Sequence, residues 1–165
     1  MRNLRVKHSR KDEVDECIDR VYESVWQLFL MVLYVDDGEE YRNLVLGPAF
    51  ADPYVLGFLE GYMEFAISDM GLTVFTDREA KDIVRTTMDR FRPQDNPSRL
   101  LLQVKDKSNP DHAPYAEGYA RCVQFVLDEA ALRSLAYTHP RAKLEGSRAL
   151  NRFLARLKTY EIGLY

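Results

Sequence analysis

"PYVLGF", residues 53–58, returns 61 positions later as "PYAEGY", residues 114–119. Pro53, Tyr54, Gly57 and Phe58 match Pro114, Tyr115, Gly118 and Tyr119, and further on Tyr62, Phe65 and Ala66 meet Val123, Val126 and Leu127. A second likeness follows. "FTDREAKDIVRTTMDRF", residues 75–91, resembles "YTHPRAKLEGSRALNRF", residues 137–153, at a spacing of 62. Phe75-Thr76 returns as Tyr137-Thr138, Ala80-Lys81 as Ala142-Lys143, and Arg90-Phe91 as Arg152-Phe153. Any two amphipathic hairpins share helix grammar, but caps and apolar faces alone do not bring Ala-Lys and Arg-Phe into register. The expectation is a duplicated two-helix unit, residues 53–91 and 114–160, whose copies pack about a pseudo-two-fold axis. A glycine inside a helix costs about 1 kcal/mol relative to alanine. Gly57 and Gly118 are therefore expected to mark a close crossing of backbones. Two copies are too few for a solenoid, which needs roughly three.

The rest of the chain also reads as helix. Ser9 can cap a long helix over residues 11–35, in which Val14, Cys17, Ile18, Val21, Val25, Leu28 and Val32 keep an i, i+3/i+4 rhythm. Beyond Trp26 that helix is apolar on nearly every side, which demands a central place or a cover from another subunit. Asp52 caps the next helix, with Pro53 at its first position. Thr76 and Glu79 have capping-box spacing, and Ala80, Ile83, Val84, Thr87, Met88 and Phe91 share one side of the helix behind them. "RPQDNP", 92–97, breaks it, and "KDKSNPDHAP", 105–114, reads as a loop. Pro114 opens a further helix. The last helix carries Leu150, Phe153, Leu154 and Leu157 to about Tyr160. Residues 40–47 and 98–105 are ambiguous between helix and extended chain. The fold class expected is all-α: one domain over 1–165, a compact bundle of about five main helices.

Composition narrows the function classes. The longest apolar run, "LFLMVLYV" at 28–35, is too short to cross a bilayer. No apolar stretch follows the basic N-terminal residues, so a cytoplasmic protein without a secretory signal is expected. Cys17 and Cys122 fall on helical patterns and read as buried thiols. Charge is segregated: residues 12–75 carry fourteen acidic and two basic side chains, whereas residues 133–165 carry seven basic and two acidic. Such asymmetry guides a partner to the protein, or one half of the fold to the other.

Few patterns carry chemistry. His8, His112 and His139 are scattered, and neither a phosphate-binding glycine loop nor a nucleophile elbow is present. No cofactor or metal is expected. Glu60 and Glu64, one helical turn apart, could hold magnesium together with a substrate phosphate, although solvated helix charge is the plainer reading. His112 beside Asp111 could be an acid–base pair or an ordinary surface turn. Arg141, Arg148, Arg152 and Arg156 share one side of the last helix. They could contact a nucleic-acid backbone or pair with the acidic part of the chain. The leading expectation is an adaptor or regulatory protein that binds protein, including itself as a homodimer. Its long first helix would contribute to the interface, with Trp26, Phe29, Tyr54, Tyr115, Arg148, Arg152 and Arg156 as interaction residues. The alternatives are a nucleic-acid-binding protein using the arginine stripe and a metal-dependent helical enzyme on a phosphorylated substrate. No membrane partner is expected.

Overall fold

A computed structural model describes residues 9–30, 46–69, 74–135 and 148–162. Among these the chain forms seven helices and no strand. They are α1 (Arg10–Leu30), α2 (46–51), α3 (Pro53–Asp69), α4 (Asp77–Phe91), α5 (Pro97–Val104), α6 (His112–Leu135) and α7 (Arg148–Ile162). About five main helices with one or two short ones are expected; of the seven described, α2 and α5 are the short ones. Both fall in or beside the segments whose apolar runs carried no clear period. None of the helices is long and apolar enough to cross a membrane.

Local chemistry starts the helices. Ser9 and Asp12 cap α1 reciprocally: the Asp12 N–H donates to Ser9 Oγ at 3.2 Å and the Ser9 N–H donates to Asp12 Oδ2 at 2.9 Å. Asp52 Oδ1 accepts from the Tyr54 N–H at 2.9 Å, which satisfies one of the donors orphaned at the start of α3. At α4 the capping box is complete, with the Glu79 N–H on Thr76 Oγ1 and the Thr76 N–H on Glu79 Oε2. α5 begins differently. Asn96 adopts a left-handed φ of 48°, a conformation asparagine tolerates better than most residues, and Pro97 follows at the first helical position. α6 starts at His112, two residues before the expected Pro114. A proline there is harmless, because the first four N–H groups of a helix have no partner within it.

α3, not α1, is the central helix. Leu56, Leu59 and Met63 are as fully buried as Phe58, so burial reaches round most of its circumference. α1 lies beside α4 in the same direction: Arg10 bonds Glu79 at 2.7 Å, Asp19 pairs with Arg90 at 2.5 Å, and Tyr22 stacks on Phe91 at 4.4 Å between centroids. Phe91 is the hub of this layer, with Phe50 at 5.4 Å, Phe29 at 5.6 Å and Trp26 at 5.8 Å. The apolar end of the first helix is thus covered within the same chain as far as Phe29. Residues 31–35 lie outside the described part.

The most extensive helix–helix contact joins α3 to α6. The two run in the same direction, since Gly57 meets the Tyr115–Tyr119 turn and Gly61 meets Tyr119 and Cys122. The approach of the glycines is reciprocal. A Cβ on Gly57 would lie 2.0 Å from the Tyr115 carbonyl oxygen, and one on Gly118 would lie 2.0 Å from that of Tyr54. Small residues at such spacing let backbones touch.

Candidate functional site

One side of this crossing is polar. Tyr115 and Tyr119, one turn apart on α6, face Glu60 and Glu64, one turn apart on α3. The Tyr115 hydroxyl donates to Glu60 Oε2 at 2.5 Å, and the Tyr119 hydroxyl donates to Glu64 Oε2 at 2.6 Å. Lys105, just past α5, donates to Glu60 Oε1 at 2.5 Å. Glu60 is only 3% exposed. A buried carboxylate is tolerated when it is paired and hydrogen-bonded, and here each oxygen has a donor. Burial and the Glu60 bond hold the Tyr115 phenol well above its ordinary range, and the Glu64 bond followed by burial does the same for Tyr119.

The opposite side of the crossing is apolar. At the sequence spacing of 61, Glu64 corresponds to Phe125 and Tyr119 to Phe58. Those two rings pack at 6.2 Å, and Phe58 stacks on Phe153 of α7 at 4.0 Å. Glu60 corresponds to Arg121, and the Tyr54 hydroxyl is buried without a hydrogen-bond partner among the described residues. Packing therefore does not require carboxylates at this crossing. The polar pair is the feature that calls for a role.

Two cavities open from the polar side. One of about 190 Å³ lies over Glu60, Glu64, Lys81, Arg85, Leu102 and Lys105. The other, of about 470 Å³, continues past Ile67, Val74, Phe75, Asp77 and Ala80, and shares Glu64 and Lys81 with the first. The two adjoin at Glu64 and Lys81, between α3 and α4, and the smaller one reaches α5. Val74, 93% exposed, lines the larger cavity and Leu102, 50% exposed, the smaller.

The expected site residues are dispersed. Phe29 is wholly inside, and Trp26 packs partly buried against Phe29 and Phe91. Neither forms an open surface, because α2 and α4 supply Phe50 and Phe91 as their cover. Tyr54 and Tyr115 are buried on opposite sides of the α3–α6 crossing. They do not line a shared groove. Arg152 pairs with Glu117 at 2.7 Å and Arg156 with Asp52 at 2.7 Å, so both bind the fold to itself. Asp52 also accepts from the Tyr160 hydroxyl, which seats α7 on the cap of α3. Arg141 and the Arg148 side chain lie outside the described part, as do His8 and His139. His112 Nδ1 is 3.0 Å from the Val104 carbonyl oxygen, at the junction of α5 and α6, and not in either cavity. Cys17 and Cys122 are both buried and free, and burial pushes the Cys122 thiol up to about 12. Among the described residues no three histidine, cysteine or carboxylate side chains gather as a metal set.

Lys105 and Arg85 did not stand out in the sequence, and Tyr119 and Lys81 stood out only as matched positions of the repeat, not as site residues. The available signal was Glu60 and Glu64 standing four apart inside an otherwise apolar helix, matched by Tyr115 and Tyr119 at the same interval.

The phenols set an alkaline limit on stability. A phenol whose pKa is raised by folding stabilises the native state fully below its ordinary value of 10, and that contribution is lost as pH climbs beyond it. Of the ten tyrosines, Tyr115 and Tyr119 should stay protonated past pH 10 and ionise only as the chain unfolds. Ultraviolet absorbance titration checks this. The Tyr115→Phe/Tyr119→Phe double variant should lose part of the late step, and a single common transition near pH 10 in the native protein would contradict the assignment.

Comparison with protein-family models, with curated proteins and with solved structures finds no match to this chain.

Proposed function

We propose that this protein works by protein–protein interaction, and first of all by self-association, through the groove between α3, α4 and α5. The observation that carries the reading is the position of Val74 and Leu102. They are two of the three large apolar side chains exposed to water among the described residues, and each lines one of the two adjoining cavities; the third, Val123, lies on α6 away from both. Exposed apolar surface with a polar surround is the mark of an interaction surface. The groove's charges suit a second copy: Lys81 and Arg85 lie beside Asp77, Glu64 and Asp82. A two-fold axis sets the same patch against itself, so a patch carrying both signs is complementary to its own image. This moves the expected homodimer interface away from the first helix, whose apolar face meets its needs within the chain as far as Phe29.

The alternatives have less support. The described part of the arginine stripe is engaged with Glu117 and Asp52. A magnesium ion at Glu60 would have to displace Lys105 and Tyr115 from both carboxylate oxygens. The reciprocal glycine approach also supports reading residues 53–91 and 114–160 as two copies of one unit. Their second helices differ, however: Phe91 packs against α1 and α2, whereas its match Phe153 stacks on Phe58. A cytoplasmic setting, where thiols stay reduced, suits Cys17 and Cys122.

Light scattering coupled to size-exclusion chromatography tests the proposal. At high micromolar concentration the protein should run at twice its 19.2 kDa chain mass. Val74→Glu and Leu102→Glu should each weaken the dimer by about tenfold or more, the effect of burying an unpaired charge. A monomer at all concentrations, or a dimer indifferent to both substitutions, contradicts it.

A further inference from the structure

The two adjoining cavities differ in chemistry. The smaller is basic: Lys81, Arg85 and Lys105 line it against Glu60 and Glu64. Glu60 is already satisfied, since Lys105 and Tyr115 each hold one of its oxygens. The cations are not. Lys81 makes no hydrogen bond or ion pair among the described residues. Arg85 meets only Asp82 among them, at 3.9 Å and with both side chains open to solvent, and such surface pairs hold little. An ammonium group carries three donors, so Lys105 has donors left beyond its bond to Glu60.

The larger cavity has an apolar wall of Ile67, Val74, Phe75 and Ala80. Its volume of about 470 Å³ is that of a pocket for a small molecule. Glu64 and Lys81 line both cavities, so they stand where the two join. They carry opposite charge, yet they form no ion pair with each other. Glu64 gives Oε2 to the Tyr119 hydroxyl, and its Oε1 has no donor among the described residues. Asp77 adds a second carboxylate on the side of the larger cavity. The order is therefore cations, then a free carboxylate oxygen beside a free ammonium, then an apolar wall.

We propose that the two cavities together bind an α-amino acid with an apolar side chain. Its carboxylate lies against Lys81 and Arg85, its ammonium donates to Glu64 Oε1, and its side chain covers Ile67, Phe75 and Ala80. An amino acid carries both charges on neighbouring atoms, so it bridges two groups that do not reach each other. An apolar acid without the amine leaves Glu64 unmet beside an anion, and an apolar amine leaves the cations unmet. The site is made by one chain. It uses the region assigned above to self-association but does not rest on that reading.

The test is titration of the full chain with leucine and with phenylalanine near neutral pH, followed by calorimetry and amide NMR shifts. The deaminated forms, isocaproate and hydrocinnamate, and the decarboxylated forms, isoamylamine and phenethylamine, are titrated beside them. At least one amino acid should bind, shift the amides around Glu64 and Lys81, and bind about tenfold or more tighter than either of its counterparts, as expected for losing a hydrogen bond between charged groups. Lys81→Met should weaken the amino acid by about tenfold on the same ground. Glu64→Gln should weaken it and bring it level with its deaminated form. Both variants should fold, because Lys81 holds no partner among the described residues and glutamine still accepts the Tyr119 hydroxyl. No binding of either amino acid overturns the proposal, as does native protein that binds a deaminated or decarboxylated form equally well. Unchanged binding in either variant overturns it too. Light scattering on the same samples reads self-association separately, so either reading can fail while the other stands.

Discussion

Gly57→Ala and Gly118→Ala should each destabilise the fold by about 2–3 kcal/mol, although alanine is the better helix former. Alanine gains about 1 kcal/mol over glycine in a helix interior. Against that stands a Cβ placed 2.0 Å from a carbonyl oxygen of the neighbouring helix. What it strikes is backbone, which cannot turn aside, so α3 and α6 must separate along their contact. Overpacking typically costs about 1–3 kcal/mol and occasionally more, and rigid obstruction on both helices puts this pair at or beyond the upper end. Gly61→Ala is the internal control. Its added carbon would meet Cys122 Cβ at 3.1 Å and Sγ at 3.3 Å, a tight contact that a few tenths of an ångström relieve, and it should cost less. Urea unfolding followed by circular dichroism ranks the three. Equal midpoints for all of them, or a stabilised Gly57→Ala, would mean that the helices do not cross in contact.

Phe91→Ala should be the most damaging single truncation in the chain, at about 3–5 kcal/mol. Folded domains of this kind hold only about 5–15 kcal/mol in all. Phe91 touches four rings from two other helices: Tyr22, Trp26 and Phe29 on α1, and Phe50 on α2. Its loss opens a cavity where α1, α2 and α4 meet, and four aromatic neighbours cannot all collapse into it. Trp26 is the single tryptophan, so its emission reports the same event: it should shift to the red in Phe91→Ala and stay put in Leu102→Ala, whose side chain is half exposed. Near-native stability with unchanged emission would show that the hub is not as described.

What the sequence discloses and what it conceals divide by distance along the chain. The caps at Ser9, Asp52 and Thr76 were legible because capping is decided within three residues. The buried face of α4 was legible because Ile83, Val84, Thr87, Met88 and Phe91 repeat at helical spacing. The glycine approach was legible through repetition: each helix keeps a costly residue at the matching place. The polar side of the crossing was not. Glu60 meets Lys105 across 45 residues and Tyr115 across 55, and nothing local separates it from a solvated helix charge. The cover of Trp26 and Phe29 was hidden for the same reason, since Phe91 and Phe50 come from other helices. α2 and α5 are short apolar runs whose state is set by what they pack against. For the arginine stripe, a partner in the acidic residues 12–75, where Asp52 lies, was one of the expected outcomes, but Glu117 on α6 was not.

The two sides of the α3–α6 crossing therefore carry different consequences. The polar side opens into two adjoining cavities, and the apolar side seats α7 through Phe58 and Phe153. The proposal that the groove joins two copies of the chain is tested most directly by amide hydrogen exchange measured across a range of protein concentrations. Protection should rise with concentration in residues 74–105 and around Glu60–Ile67, while the exposed faces of α1 and α7 remain unchanged. Protection that is independent of concentration, or that rises on α1 instead, would contradict it.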